Sequence, residues 1–361
     1  MGCCWLYISP NIKGLPVKFH SILCTCLFSM TWLSVSPSLA ATAPTSLPGY
    51  AAGVHVMRVT TNDPQIDEIG GIIYSQIKDV RAIRGLHISI LVPHTNDLKP
   101  AIVYVPGGGF ISANYEKFFE MRSALAKAGF VVAAAEYRVV PDRFPAPLED
   151  GKAAVRYLRA HASEYGIDPK RIGVLGDSAG GWLAQLMATT GAEKKYDKGD
   201  FLDQSSAVQA AVSLYGISDV RNIGVGFPEA IQKVHASPAV TEALLVNGPA
   251  FATFPGASVD ADSNKALQAG SMGHLEGVKP PILLMHGSAD HLVSPVQSKQ
   301  LFEALKKRGD QVDYTIVEGA GHGDAHWYQP AIIDQVVSWF KKNLGDPIKE
   351  IPKKTELDAN L

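Results

Sequence analysis

The sequence predicts an α/β fold, in which a mostly parallel central sheet is covered by helices on both faces. Two observations support this prediction. Short, continuously apolar runs such as Ala101–Val105 are typical of strands buried on both faces. They alternate with longer segments of helical periodicity, such as Phe118–Lys127 and Leu148–Ala160. Alternation of this kind indicates parallel strands joined by crossover helices.

Three strands are predicted ahead of this region, and their alternating or β-branched character favours antiparallel pairing. They are Val54–Thr60, Ile72–Val80 and Leu86–Val92. The later strands are predicted at Ala101–Val105, Phe130–Ala135, Arg171–Leu175, Val208–Leu214, Ile282–Met285 and Asp313–Val317. The helices are predicted at Phe118–Lys127, Leu148–Ala160, Trp182–Thr190, Pro295–Lys307 and Ile332–Asn343.

Residues 219–273 interrupt the alternation, because they combine Pro, Gly and Ser with short apolar patches that have no clear period. We interpret them as a small cap or lid inserted over one edge of the sheet. The alternative is an irregular surface excursion without a binding role. The folded domain is expected to span residues 41–361.

The bulk composition limits the functional classes. The chain has 361 residues, 46% of them hydrophobic and 19% charged, which is typical of a globular protein with a substantial core. The net charge of -2 gives no reason to expect a nucleic acid or an anionic membrane surface as partner. All four cysteines lie within the first 26 residues, so no disulfide or thiolate metal site is expected in the folded body.

The amino-terminal 40 residues are typical of a secretory signal peptide. Lys13 and Lys18 precede an apolar stretch at 21–35, and small residues at Ser38 and Ala40 follow it. This basic, apolar, small order predicts cleavage near Ala40 and export to the periplasm or the medium. A stable membrane anchor is not expected, since the apolar stretch is short and interrupted.

The pentapeptide Gly176-Asp177-Ser178-Ala179-Gly180 is the strongest functional signal. It follows the predicted strand Arg171–Leu175 and begins a predicted helix, which is the strand–turn–helix context of a nucleophile elbow. Small flanking residues permit the tight turn that exposes the hydroxyl of Ser178. We therefore predict Ser178 as a nucleophile, with Asp177 beside it in a supporting role.

A serine nucleophile needs a base and a group that orients the base. His322 lies in a glycine-rich loop after the strand Asp313–Val317 and is the predicted base, with His326 as the local rival. Asp290 follows the strand Ile282–Met285 and is the predicted acid, with Asp324 as its rival. The order Ser, Asp, His along the chain fits such a triad.

A glycine run at 107–109 predicts the third component of the site. It follows the strand Ala101–Val105, so its backbone N–H groups could stabilise an oxyanion. Gly108, Gly109 and Ala179 are the predicted donors. A phosphate-binding loop is disfavoured, because the P-loop pattern with its lysine is absent. Phe110 and Trp182 are predicted to line the substrate pocket, and a core role for Trp182 is the alternative.

Taken together, these residues resemble the α/β-hydrolase superfamily of serine esterases. The resemblance is to the group related to hormone-sensitive lipase and to feruloyl-esterase-like carbohydrate esterases. It covers about residues 98–192 and about 279–343. The segments that carry it are Val103–Phe110, Glu136–Pro141 with Phe144–Ala146, Asp168–Gly181, and His286–Asp290 with Gly321–Gly323.

The resemblance implies a carboxylesterase-type serine hydrolase with an α/β-hydrolase fold, a small-molecule ester substrate, no metal and no cofactor. Short-chain or aryl acyl esters are the expected substrates. Tyr137, Arg138 and His286 are expected to be structural. Where the family usually has His, this chain has Pro106, which removes a backbone donor and restricts φ.

Two alternatives remain open at this stage. The same triad could hydrolyse amides, as in an arylformamidase or a small peptidase. The chain could also be a non-enzymatic binding protein on the hydrolase fold, since fold alone does not fix function. The oligomeric state is not predictable from these features.

Overall fold

The computed structural model describes residues 53–57, 59–78 and 82–347. The chain divides into two compact units, residues 1–59 and 60–361. The described residues of the first unit, 53–57 and 59, form no strand or helix. The predicted signal peptide lies outside the described residues, as does the tail beyond residue 347.

The predicted strand Val54–Thr60 is wrong. Its described residues are exposed and lie outside the regular elements, with Val56 at 56% and Val59 at 74% exposure. β-branched residues favour a strand only where a neighbouring strand and a buried face are available. No strand of the sheet comes from this segment.

The described part of the second unit contains one sheet of eight strands in the order β1-β2-β4-β3-β5-β6-β7-β8. The strands are β1 Ile66–Lys78, β2 Ile83–Pro93, β3 Lys99–Val105, β4 Val131–Ala135, β5 Ile167–Asp177, β6 Ala210–Leu214, β7 Ile282–Gly287 and β8 Val312–Val317. The pairs β1–β2 and β2–β4 are antiparallel, and all other pairs are parallel. The predicted mostly parallel sheet with antiparallel leading strands is confirmed.

Eight α-helices accompany the sheet within the described residues. They are α1 Phe119–Lys127, α2 Ala146–Ala160, α3 Ala179–Thr189, α4 Glu229–His235, α5 Thr241–Asn247, α6 Ser263–Gln268, α7 Val296–Arg308 and α8 Pro330–Leu344. None of these helices is long and apolar enough to cross a membrane.

The helices form two layers, one on each face of the sheet. Alternate residues of β3 point to opposite cores: Val103 packs with residues of α2, α3 and α7, whereas Ile102 packs with residues of α1 and α8. Val103 and Ile102 are both fully buried, which explains why the sequence of β3 is continuously apolar from Ala101 to Val105. The predicted helical cover on both faces is confirmed.

The segment predicted as an insertion forms three short helices, α4 to α6, between β6 and β7. Each has only six or seven residues, too few for a helical period to be visible in the sequence. Helices α5 and α6 pack into the core through residues such as Leu245 and Ala266, whereas α4 has no buried residue. That this segment acts as a cap or lid stays a prediction.

The approach of β5 to α3 depends on glycine. A side chain at Gly176 would collide with the carbonyl oxygen of Gly180, and one at Gly180 would collide with the carbonyl oxygen of Val105. Because all these neighbours are backbone atoms, no side-chain rotation could relieve the overlap.

We expect Gly176→Ala to lower the free energy of unfolding by about 3 kcal/mol, since overpacking a rigid backbone contact forces the strand and helix apart. Gly70→Ala in β1 is the matched control, because no described atom lies within 4 Å of the position of its new methyl group. The control should change stability by no more than about 0.5 kcal/mol. Denaturant unfolding of both variants measures the difference, and equal effects would contradict this account of the turn.

Candidate active site

Ser178 occupies a sharp turn between the last residue of β5, Asp177, and the first residue of α3, Ala179. Its backbone has φ 55° and ψ −121°, a conformation that non-glycine residues rarely adopt. The N–H of Ser178 donates to the carbonyl of Leu214 at 2.9 Å, which ties the turn to β6. The strain is therefore held by the packing around it, and this is the geometry that the pentapeptide predicts for an elbow.

The structure brings together the three side chains predicted as nucleophile, base and acid. Ser178 Oγ lies 2.7 Å from His322 Nε2, and His322 Nδ1 lies 2.7 Å from Asp290 Oδ2. A carboxylate can only accept, so Nδ1 carries the proton of that bond and Nε2 is left to accept from the serine. The arrangement can therefore take a proton from Ser178.

Asp290 lies in the loop after β7, and its side chain is fully buried. Burial raises the pKa of Asp290, but hydrogen bonds from His286 and His322 and from the N–H of Val293 outweigh it and hold the pKa well below its usual range. Its Oδ1 accepts from the backbone N–H groups of Leu292 and Val293, each at 2.9 Å. The carboxylate is thus kept ionised and fixed in direction.

His286 is fully buried at the end of β7, beside the acid loop as predicted. Its Nδ1 lies 2.7 Å from Ser298 Oγ, and its Nε2 lies 3.0 Å from the carbonyl of Val293 and 3.3 Å from Asp290 Oδ2. These contacts occupy both ring nitrogens. His286 therefore supports the acid loop from within the protein.

The two rival residues pair with each other and not with the serine. His326 Nδ1 lies 2.9 Å from Asp324 Oδ1, and Asp324 Oδ2 accepts from the N–H of Gly321 at 2.6 Å. Asp324 also accepts from the N–H of His326, so it caps the short helical turn that follows. This pair shapes the loop that presents His322.

The glycine loop after β3 leaves several backbone donors unused. In the region that the structure describes, the N–H groups of Gly108, Gly109 and Ala179 donate to no protein acceptor. Gly108 and Gly109 are also partly or fully exposed, with Gly109 at φ 60°. These three N–H groups are therefore free to donate, and their role in stabilising an oxyanion stays a prediction.

Asp177 ties this loop to the elbow in a way that its position in the motif alone does not reveal. Its Oδ1 accepts from the N–H of Gly107 at 2.9 Å and from the hydroxyl of Tyr104 at 2.7 Å. Its Oδ2 accepts from the ammonium of Lys117 at 2.8 Å. The buried carboxylate therefore cross-links the turn that holds Ser178 and the loop that holds the free donors.

Tyr215 contacts both halves of the site and was missed by sequence reasoning. Its ring packs against the ring of His322 with centroids 4.8 Å apart, and its hydroxyl lies 3.4 Å from Asp177 Oδ2. Tyr215 directly follows β6 with φ 40°. Tyr215, Tyr104 and Lys117 come from three separate elements, so no local spacing could have grouped them.

The predicted pocket role of Phe110 and Trp182 is not supported by their positions. Trp182 is fully buried and Phe110 is 4% exposed. Their rings pack edge to face with centroids 5.1 Å apart, and Trp182 Nε1 donates to the carbonyl of Ala269. This pair is part of the core beneath the glycine loop. The alternative considered for Trp182, a core aromatic, is the correct one.

Tyr137 and Arg138 take the structural positions expected of them. The hydroxyl of Tyr137 donates to the carbonyl of Pro106 at 2.6 Å, which holds the residue that stands where the family usually has His. Arg138 forms a two-pronged ion pair with Asp150 and another with Glu149, both on α2. Both residues thus fix the segment that follows β4.

We expect Asp177→Ala to accelerate amide hydrogen exchange in residues 106–112 by about tenfold or more, because hydrogen bonds to a charged group are each worth about 1.5–3 kcal/mol. In the comparison variant Asp177→Asn, the amide oxygen can still accept from Gly107 and Tyr104, but the amide nitrogen cannot accept from Lys117. Its exchange should therefore be faster than in the original chain and slower than in the alanine variant. Mass spectrometry of exchanged peptides reads both variants, with a peptide from α8 as internal reference. Unchanged exchange in the alanine variant would show that Asp177 does not hold this loop.

Comparison with known proteins finds one matching family and several relatives that are named as esterases. Residues 88–305, more than half of the chain, match the family described as BD-FAE. The chain is 29% identical over 214 residues to "Probable carboxylic ester hydrolase LipM" of Mycobacterium tuberculosis, covering 59% of this chain and 46% of that protein. The chain spans about half the length of the curated relatives it matches.

Two solved structures agree on the fold. One is a truncated form of a carbohydrate esterase from gut microbiota, with TM-score 0.66 and 22% identity, covering 79% of this chain and 98% of that one. The other is an acetyl ester-xyloside bifunctional hydrolase from Caldicellulosiruptor lactoaceticus, with TM-score 0.55 and 26% identity, covering 72% and 88%. The resemblance to α/β-hydrolase esterases that the sequence predicts is confirmed, and the chain belongs to the BD-FAE family.

Proposed function

We propose that this protein is a serine carboxylic ester hydrolase that works through an acyl-enzyme. The observation that carries the proposal is the pair of 2.7 Å contacts that link Ser178 to His322 and His322 to Asp290. A relative named as a carboxylic ester hydrolase supports the same reaction class.

In the first half of the reaction, Ser178 Oγ attacks the ester carbonyl carbon while His322 Nε2 takes the hydroxyl proton. Asp290 stabilises the imidazolium and keeps the ring in one orientation. The tetrahedral intermediate then collapses, the bond from carbon to the leaving oxygen breaks, and His322 gives its proton to the departing alcohol. Ser178 is left as an ester of the acyl group.

In the second half, water replaces the alcohol. His322 takes a proton from the water as its oxygen attacks the acyl carbon, and the serine oxygen leaves and recovers a proton from His322. The products are a carboxylic acid and the free enzyme. In both halves the negative charge on the carbonyl oxygen would be stabilised by the unused N–H groups of Gly108, Gly109 and Ala179.

Short-chain or aryl acyl esters are the substrates we propose. Two features support them: the resemblance of the motif set to esterases related to hormone-sensitive lipase and to feruloyl-esterase-like carbohydrate esterases, and the ester hydrolases among the relatives. An amide hydrolase would use the same triad, so substrate profiling separates the two reactions.

The test is hydrolysis of p-nitrophenyl acyl esters from acetate to long chains, beside methyl ferulate and an N-formyl aryl amide. We expect Ser178→Ala to lower kcat by about 10⁶-fold and Asp290→Asn by about 10⁴-fold, because the asparagine favours the wrong imidazole tautomer. Asp334→Asn, which changes an exposed residue of α8, is the control and should retain most of the activity. Full activity in Ser178→Ala would eliminate the triad, and preference for the amide would replace the esterase assignment.

We also propose that the protein is exported, with residues 1–40 removed as a signal peptide. The basic, apolar and small segments of that region support export. Amino-terminal sequencing of the protein recovered outside the cytoplasm should begin near Ala41. Recovery of the intact chain from the cytoplasm alone would contradict this proposal.

A further inference from the structure

A cavity of about 550 Å³ lies beside the amino end of α2. We call it the α2 cleft and define it by its lining residues, 141–146, Glu149 and Lys265. Three parts of the second unit build it: the loop between β4 and α2, the first turn of α2, and helix α6 of the inserted segment. Its volume is in the range of sites that hold small organic ligands.

Two cations line the α2 cleft without an acidic partner. Within the described part of the chain, no carboxylate forms an ion pair with Arg143 or with Lys265. The ammonium of Lys265 has one neutral contact, Asn247 Oδ1 at 3.5 Å. Two positive charges in one cleft therefore remain available to a ligand.

The acidic residues of the α2 cleft are already engaged. Asp142 pairs with Arg84 at 3.1 Å, and Glu149 pairs with Arg138 at 3.0 Å. Asp142 has Arg84 as its cation, whereas Glu149 shares Arg138 with Asp150. Neither carboxylate forms an ion pair with Arg143 or Lys265, so these two cations are the charged lining residues without an ion-pair partner among the described residues.

The positive charge of Arg143 also affects the pKa of Lys265. The pKa of Lys265 is lowered, first by burial and then by the nearby positive charge of Arg143, and only partly restored by Asp262. Bringing like charges together is unfavourable, and an anion bound between them would relieve that repulsion.

The side chain of Arg143 is exposed. Its aliphatic stem lies against Gly248, where an added Cβ would be 3.0 Å from Arg143 Cδ and the backbone has φ 86°. A guanidinium can present two parallel N–H groups to one carboxylate, whereas an ammonium acts as a point charge beside it. The positive amino end of the 15-residue helix α2, which lines the same cleft, adds to this preference.

The α2 cleft lies close to, but separate from, the triad. Phe144, one of its lining residues, packs edge to face on Trp182, with centroids 6.5 Å apart. Trp182 is one helical turn beyond Ser178, and its backbone N–H donates to the carbonyl of Ser178. The α2 cleft is therefore linked to the helix that follows Ser178 through the contact of Phe144 with Trp182.

We propose that Arg143 and Lys265 together bind the carboxylate of a small molecule in the α2 cleft. The carboxylate belongs either to a distal part of the ester substrate or to a separate ligand. This site does not depend on the proposed function, because its binding can be measured without catalysis.

The test is titration calorimetry of the purified chain with glucuronate, galacturonate and succinate, and with glucose as the neutral counterpart. We expect binding of at least one carboxylate and none of glucose, and we expect Arg143→Gln and Lys265→Gln each to weaken that binding by about tenfold or more, since each removes a charge-assisted contact. Lys307→Gln, which removes one exposed positive charge from α7, is the matched control and should bind as the original chain does.

Several outcomes would overturn the site. They are binding that the double variant Arg143→Gln/Lys265→Gln retains in full, equal binding of glucose, and no binding of any of the three carboxylates. Circular dichroism melting of each variant confirms that the comparison is made on folded protein.

Kinetics with two acetyl esters then distinguish the two sources of the carboxylate. If it is part of the substrate, both variants raise KM for acetylated methyl glucuronoside and leave KM for acetylated methyl glucoside unchanged. If it belongs to a separate ligand, neither KM changes while calorimetric binding is lost. A chain that hydrolyses no ester would refute the proposed function, and calorimetry would still decide the site.

Discussion

The close approach of three backbone segments at Ser178 is the constraint on which the rest of the site depends. The end of β5, the start of α3 and the end of β3 meet where Gly176, Gly180 and the carbonyl of Val105 are in contact. Only glycine fits at positions 176 and 180, and Ser178 between them adopts a positive φ. The strain is offset by the buried sheet and helix on either side, since a local conformation of this kind persists only where its surroundings over-determine it.

Two buried carboxylates, Asp290 and Asp177, hold different parts of the site in place. Asp290 fixes the direction of His322, and its own direction is fixed by two backbone N–H groups. Asp177 sits next to the serine but faces the glycine loop and accepts from Gly107. A buried carboxylate is costly unless its oxygens are satisfied, and each of these two gains several donors. The same donors that offset burial therefore also set the geometry.

The inserted segment contributes differently from the sheet. Helices α5 and α6 pack into the core, and α6 carries Lys265 to the cleft that Arg143 also lines. The unpartnered cations of that cleft contrast with the satisfied acids of the triad region.

The sequence alone determined the order of strands and helices and the identity of the three residues that meet at the triad. The reason is local: Ser178 directly follows β5, whereas Asp290 and His322 lie in the loops after β7 and β8. Each stands near glycine or small residues, and the carboxyl ends of parallel strands lie at one edge of the sheet. Prediction from the sequence was less accurate where a segment was short or exposed. Helices α4 to α6 are too brief to show a period, and the β-branched run at 54–60 had no strand beside it to pair with.

Tertiary structure alone decided which side chains meet across distance. The contacts of Asp177 with Tyr104 and Lys117 join residues at least 60 positions apart, and Lys265 reaches the α2 cleft from a different element than Arg143. Trp182 also shows what the sequence could not predict. Its position close to Ser178 in the sequence suggested that it lines the pocket, whereas the folded chain buries it against Phe110. Spacing along the chain reports neighbours on one strand or helix, and only the folded sheet brings separate elements into contact.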